Sequence, residues 1–216
     1  MKKILIVLLS VFFILDAFPQ SYETRLENRK ESGYFNITQI SLLTGNRKLS
    51  EPVNYYNNNI RNLMVSPSVT MTHGGRINEH WAVGVGVGFE LFDHNHFPVF
   101  ADIRYTVRDH DISPFFALKI GHAIGNRKKK HYDDLYLAYQ PYQVSNAYFR
   151  NYGGFMLHPE MGVKFPLSEK ADLLFTVAYR FQKSKTTVSQ DFGQRNKWER
   201  EVSMNRLSFG VAIMFR

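Results

Sequence analysis

Glu90, Asp102, Arg104, Lys119, Glu160, Lys164, Arg180 and Arg206 fall in the polar phase of segments in which every second residue is apolar. A repeat of two turns successive side chains to opposite sides of a strand, so all eight would share one face of a sheet. Three carboxylates and five cations confined together should form a hydrogen-bonded network, because unpaired charge away from water is expensive. The expected role of this charge network is a structural plug. A gated ion path is the sharper alternative, and it is disfavoured because an interior enclosed by eight strands has room only for side chains.

Histidines offer other chemistry. Asp93-His94-Asn95-His96 alternates imidazole with carboxylate in a short loop, a pairing that suits zinc or copper. No third or fourth ligand is set by the spacing, so no metal site is expected. His158 and Glu160 share a face, as a base and its orienting carboxylate would. No nucleophile is placed beside them, and Ser208 has no histidine in evident relation to it. A serine–histidine–acid set for lipid hydrolysis is therefore not predicted.

The third constellation is Arg127, Lys128, Lys129 and Lys130 followed by Tyr132, Tyr136, Tyr139 and Tyr142. Tyr and Arg anchor interfaces, and Tyr stacks on sugars and peptides. Two readings stay open for the tyrosines: contact with a surface ligand, or an aromatic girdle that extends the strands. The lysine run is expected to meet lipid phosphates.

The elements that position these residues are strands, expected near 33–43, 62–73, 79–92, 97–107, 112–124, 151–165, 171–183 and 203–216. In the third, Trp81, Val83, Val85, Val87, Phe89 and Leu91 oppose His80, Ala82, Gly84, Gly86, Gly88 and Glu90. In the last, Leu207, Phe209, Val211, Ile213 and Phe215 oppose Arg206, Ser208, Gly210, Ala212 and Met214. Strands of about ten residues suit a bilayer crossing at a tilt of roughly 45°. Even-numbered connections are short, among them 73–78, 108–111 and 166–170. Of the odd-numbered ones, 44–61, 125–150 and 184–202 are long. Outer-membrane barrels show that asymmetry, with short periplasmic turns and longer extracellular loops.

Composition agrees with this class. Aromatic residues make up 15% of the chain, there is no cysteine, and the net charge is +8. No apolar run reaches spanning-helix length, which excludes a helical membrane protein but not a barrel, whose strands average out. Met1-Lys2-Lys3, the apolar run from Ile4 to Leu15, and the break at Asp16-Ala17-Phe18-Pro19 have the layout of a secretory signal peptide. The expected organisation is a signal peptide over 1–20, cleaved between Ala17 and Ser21, a periplasmic lead over 21–32, and a barrel over 33–216. In an exported protein, basic excess points to lipid phosphate and anionic polysaccharide. No motif supports nucleic acid, which is not an expected partner.

Pro98-Val99-Phe100-Ala101-Asp102-Ile103-Arg104-Tyr105 and Ser113-Pro114-Phe115-Phe116-Ala117-Leu118-Lys119-Ile120-Gly121 resemble the central hairpin of small outer-membrane β-barrel proteins of Bacteroidota-type bacteria. The final Phe-containing strand resembles the C-terminal assembly signal of outer-membrane proteins, although Arg216 follows Phe215 where that signal ends in an aromatic residue. In layout the chain is similar to OmpA/OmpX-like eight-stranded barrels, without an extra peptidoglycan-binding domain. The resemblance implies an outer-membrane location and recognition by the barrel-assembly machinery, and no single activity, since this fold hosts many.

The expectation is an all-β, eight-stranded antiparallel up-and-down transmembrane β-barrel with a cleaved N-terminal signal peptide. It is expected to be monomeric and without cofactor. Its partners would be outer-membrane lipid and lipopolysaccharide phosphates, the assembly machinery during insertion, and a surface ligand held by the loops. The expected role is structural or surface-interacting. A narrow porin-like ion channel is the first alternative and an outer-membrane lipid-modifying enzyme the second.

Overall fold

The computed structural model describes residues 32–49, 64–91, 95–108, 112–125, 130–131, 147–191 and 195–216. The strands in them are β1 (Gly33–Leu49), β2 (Met64–Arg76), β3 (Trp81–Glu90), β4 (His96–Thr106), β5 (Ser113–Gly125), β6 (Lys130–His131), β7 (Ala147–Ser168), β8 (Ala171–Asp191) and β9 (Arg195–Phe215). Neighbours pair antiparallel, β5 joins β7, and β1 joins β9, so the sheet closes on itself. β6 only adds two residues to β7, with Lys130 opposite Phe149 and His131 opposite Tyr148. The wall is therefore an eight-stranded closed antiparallel barrel, with no helix among the described residues. The signal-peptide span 1–20 and nearly all of the 21–32 lead lie outside the described residues.

The stagger of the barrel can be read from its register. Starting at Ile37, the paired positions run through Thr72, Gly86, Phe100, Gly121, Met156, Gln182 and Met204 to Arg47, ten residues further along β1. Closure with that offset forces the strands to tilt by about 35–45° from the axis. It also brings residues from distant strands to one height inside the barrel.

The sign of the alternation is inverted relative to a soluble protein. Val85 is 68% exposed and Phe209 50%, whereas Glu90 is fully buried at 0%. Val83, Val87, Val99, Ile103, Ile120, Phe175, Val177, Val211 and Ile213 also face outward. A contiguous outward apolar band over a polar interior is the arrangement that a bilayer stabilises. Trp81 and Tyr105, with ring centroids 5.0 Å apart, sit at one edge of that band, the position of an interfacial aromatic girdle.

Some boundaries differ from the sequence expectation. The span 184–202, expected as a long loop, is ladder: Ser184 pairs Val202, and pairing continues to Asp191 opposite Arg195. The apolar phase stops there because no lipid has to be faced, while backbone pairing and β-branched residues such as Thr186, Thr187 and Val188 sustain the strands. The span 125–150 contains β6 and the start of β7, so it is not wholly loop. β1 likewise continues to Leu49 into the span expected as the first loop. The glycines expected in the turn 73–78 belong to β2, and the reversal falls over residues 77–80. Gly74 and Gly84 pair across β2 and β3, and a Cβ on either would press on the Phe35 ring, at 2.7 and 3.2 Å respectively. They are glycine to admit that ring into the interior. At the other end β7 has a register shift between Asn151 and Gly153, where Gly153 takes the left-handed φ of 78° that favours glycine.

Candidate functional site

All eight residues expected on the inner face are buried. They do not form one network but separate tiers, stacked along the axis by the stagger of the strands. The first tier lies near the end that carries the short turns. There Asp172 is held by Arg216, at 2.6 Å to Nη2 and 2.8 Å to Nε, and Arg76 and Lys164 are also buried. Next comes an apolar layer made by Phe35, Ile37, Phe115, Leu174 and Met214 with the small residues Ala82, Ala117 and Ala212. This layer fills the cross-section of the barrel with side chains.

Above it lies the second charge tier. Arg104 reaches Asp102 at 3.1 Å and Glu160 at 3.4 Å. Lys119 donates to Glu160 at 2.8 Å and to the Gln39 side-chain oxygen at 2.6 Å. Gln39 returns its amide to Glu160 and to the Thr176 hydroxyl, both at 3.0 Å. Glu160 is thus held from β1, β4 and β5 at once, and with Thr176 on β8 five strands are tied across the interior. The Arg104 guanidinium also lies 4.8 Å from the Phe115 ring centroid, which couples this tier to the apolar layer beneath. His158 Nε2 stands 3.6 Å from Glu160.

The third tier centres on Glu90, which pairs with Arg180 and lies 3.4 Å from Arg206. Arg206 donates to the Gln182 side-chain oxygen at 2.6 Å. Further along β9 from Arg206, Met204 and Val202 are buried, so apolar side chains lie on both sides of the two inner charge tiers. Among the described residues, a cavity of about 10 Å³, room for a single water, lies between Gln39, Lys119, His158 and Arg180. As described, the interior is packed rather than open.

The loop constellation is placed only in part. Lys130 has its backbone in β6. Arg127, Lys128, Lys129, Tyr132, Tyr136, Tyr139 and Tyr142 lie outside the described residues. The loop reading of Asp93-His94-Asn95-His96 is corrected at its last member: His96 opens β4 and is fully buried, because it is in phase with the inward Asp102 and Arg104. Asp93 and His94 lie outside the described residues. Ser208 is buried on β9, in phase with Arg206, which removes it from the membrane interface where a lipid hydrolase would need its nucleophile.

Sequence reasoning missed Gln39, Thr176, Gln182 and Asp172. The signal was present for β2, where Ser66, Ser68, Thr70 and Thr72 alternate with Val65, Pro67, Val69 and Met71. It was hidden in β1, whose inward side runs Phe35, Ile37, Gln39, Ser41, Leu43 while Ile40 and Leu42 face out. Apolar residues stand on both faces there, so parity alone does not distinguish inside from outside.

No family model matches the chain, and no curated protein does. Among solved structures it is similar to the outer membrane protein OprG of Pseudomonas aeruginosa, with 13% identity, a TM-score of 0.50, and coverage of 87% of this chain and 98% of that one. Neisserial surface protein A gives 14% identity and a TM-score of 0.47 over 85% of this chain and 98% of that one. Outer membrane protein AlkL, solved in lipid bilayers, gives 14% and 0.49 over 92% and 97%. The likeness to OprG is one of fold: a small eight-stranded barrel of the outer-membrane type, matched over nearly the whole of that chain.

Proposed function

We propose that the protein is an outer-membrane barrel whose work is done at its surface rather than through its interior. In this reading the signal peptide exports it, the short turns face the periplasm, and the ends of β7, β8 and β9 project from the cell. The observation that carries the reading is the contrast between a packed interior and long, polar strand extensions. β8 and β9 have 21 residues each, about twice the 9–11 that a bilayer crossing takes. On their projecting part Lys185 faces Glu201 across the pair, both exposed. The basic segment Arg127–Lys130 and Tyr132, Tyr136, Tyr139 and Tyr142 would add contacts to lipopolysaccharide phosphate or to a surface ligand.

A planar-bilayer recording tests this against the channel alternative. A packed interior is expected to give no stable conductance steps, and reproducible single-channel currents would overturn the surface reading. The location is tested by protease treatment of intact cells. Cleavage confined to the β8–β9 extension and to 126–146 is expected, and full protection would reverse the orientation.

A further inference from the structure

The middle of the barrel holds the cavity of about 10 Å³ noted above, between the second and third charge tiers. Lys119, Arg180 and His158 line it, together with the hydroxyls of Ser41, Ser68 and Thr70. None of its lining residues is a carboxylate. The acids of the interior are turned elsewhere: Asp102 and Glu160 to Arg104 and Lys119, Glu90 to Arg180 and Arg206.

Two further observations bear on what fills it. Among the described residues, the two inner tiers bring together four cationic side chains, Arg104, Lys119, Arg180 and Arg206, and three carboxylates, Glu90, Asp102 and Glu160. An enclosed interior with one charge in excess is unfavourable unless an anion joins it. Donors are also left over. Arg180 Nε has no hydrogen-bond partner among the described residues. Lys119 gives two of its three N–H groups to Gln39 and Glu160, which leaves a third.

We propose that this cavity is a binding site for one small monatomic anion, a halide, held by Lys119, Arg180 and the Ser68 and Thr70 hydroxyls. The charge and the size select it together. A monoanion cancels the excess cation, and a volume near that of one water admits a halide but not phosphate, sulfate or a carboxylate. The ion would tie the two charge tiers together, with Lys119 from one and Arg180 from the other. It is a structural ligand, and conduction is no part of the proposal.

The test uses the full mature barrel folded in detergent micelles. Urea unfolding is followed in sodium gluconate, which is then replaced stepwise by sodium chloride or bromide at constant ionic strength. A ligand bound only by the folded state raises the midpoint as its concentration passes the dissociation constant. The midpoint is expected to rise and level off with chloride and with bromide. Crystals grown in bromide are expected to show one anomalous peak in the cavity. Ser68→Ala and Thr70→Val, which touch neither ion-pair tier, should unfold close to the parent in gluconate and lose the halide response. Lys183→Gln, on the exposed face, should keep it. Coincident midpoints in chloride and gluconate would overturn the proposal and leave a cavity that holds water. A halide response lost in Lys183→Gln but kept in both cavity variants would overturn it in favour of surface binding.

Discussion

The part of the wall inside the bilayer and the part that rises beyond it are built from the same strands, yet they are held by different forces. Along β8 the membrane portion places Leu173, Phe175, Val177 and Tyr179 outward and Leu174, Thr176, Ala178 and Arg180 inward. Past Ser184 the same strand runs through Lys185, Thr186, Thr187, Val188 and Ser189 with no apolar face. In the membrane, every outward residue meets lipid and every inward charge must find a partner. Beyond it, the sequence alternation ends and the backbone ladder continues to Asp191 opposite Arg195. Substitutions should therefore weigh heavily in the first region and lightly in the second.

The sharpest break of that contrast is expected at Glu90. Glu90→Leu removes the carboxylate that Arg180 and Arg206 share, and losing one partner of a buried pair costs about 3–5 kcal/mol. Glu201→Leu, exposed on the β9 extension, should stay within about 0.5 kcal/mol. Urea midpoints in micelles compare the two, and equal shifts would erase the distinction between the regions.

Val85→Arg comes next. Its site faces outward near the middle of β3, where an Arg costs about 2–4 kcal/mol in a barrel wall. A tryptophan placed at Val85 should be quenched by brominated lipid, whereas one placed at Glu201 should not. Absence of quenching at Val85 would mean that the exposed band does not meet lipid.

A smaller effect is expected from Gly86→Ser. A Cβ at this position would run into the Phe100 ring and would come within 2.9 Å of the Met71 carbonyl. Overpacking of this kind costs about 1–3 kcal/mol. Restoring the space with Phe100→Leu in the same chain should recover part of the lost midpoint, and no recovery would show that the ring is not the obstacle.

The least effect is expected from shortening the extension. Replacing residues 186–200 by a short Gly-containing turn removes paired strand and leaves the three charge tiers described above in place. Loop-closure entropy changes slowly with length, so the barrel should still form. It should remain heat-modifiable on a gel, with a midpoint near that of the parent. Failure to assemble would make the β8–β9 extension part of the folding nucleus rather than an appendage.

How legible each region was in the sequence follows from the same contrast. The membrane strands were readable because lipid on one side and a narrow interior on the other impose strict alternation. Residues such as Val85 and Glu90, or Phe209 and Arg206, could be assigned to opposite faces from parity. The β8–β9 extension was read as loop because its residues do not alternate between apolar and polar. Gln39 was missed because β1 carries apolar residues on both faces near the turn end, where the interior is itself apolar.

Alternation, strand number and the inward identity of the eight charges are local properties of the chain, set by the geometry of successive Cβ atoms. Which charge meets which is not local. Glu90 on β3 pairs with Arg180 on β8, and Glu160 on β7 is held by Gln39 on β1 and Lys119 on β5. Those partners are brought level by a stagger of ten residues around eight strands, a quantity that exists only once the sheet has closed. The tiers, the apolar layers on either side of them and the small cavity between them are consequences of that closure.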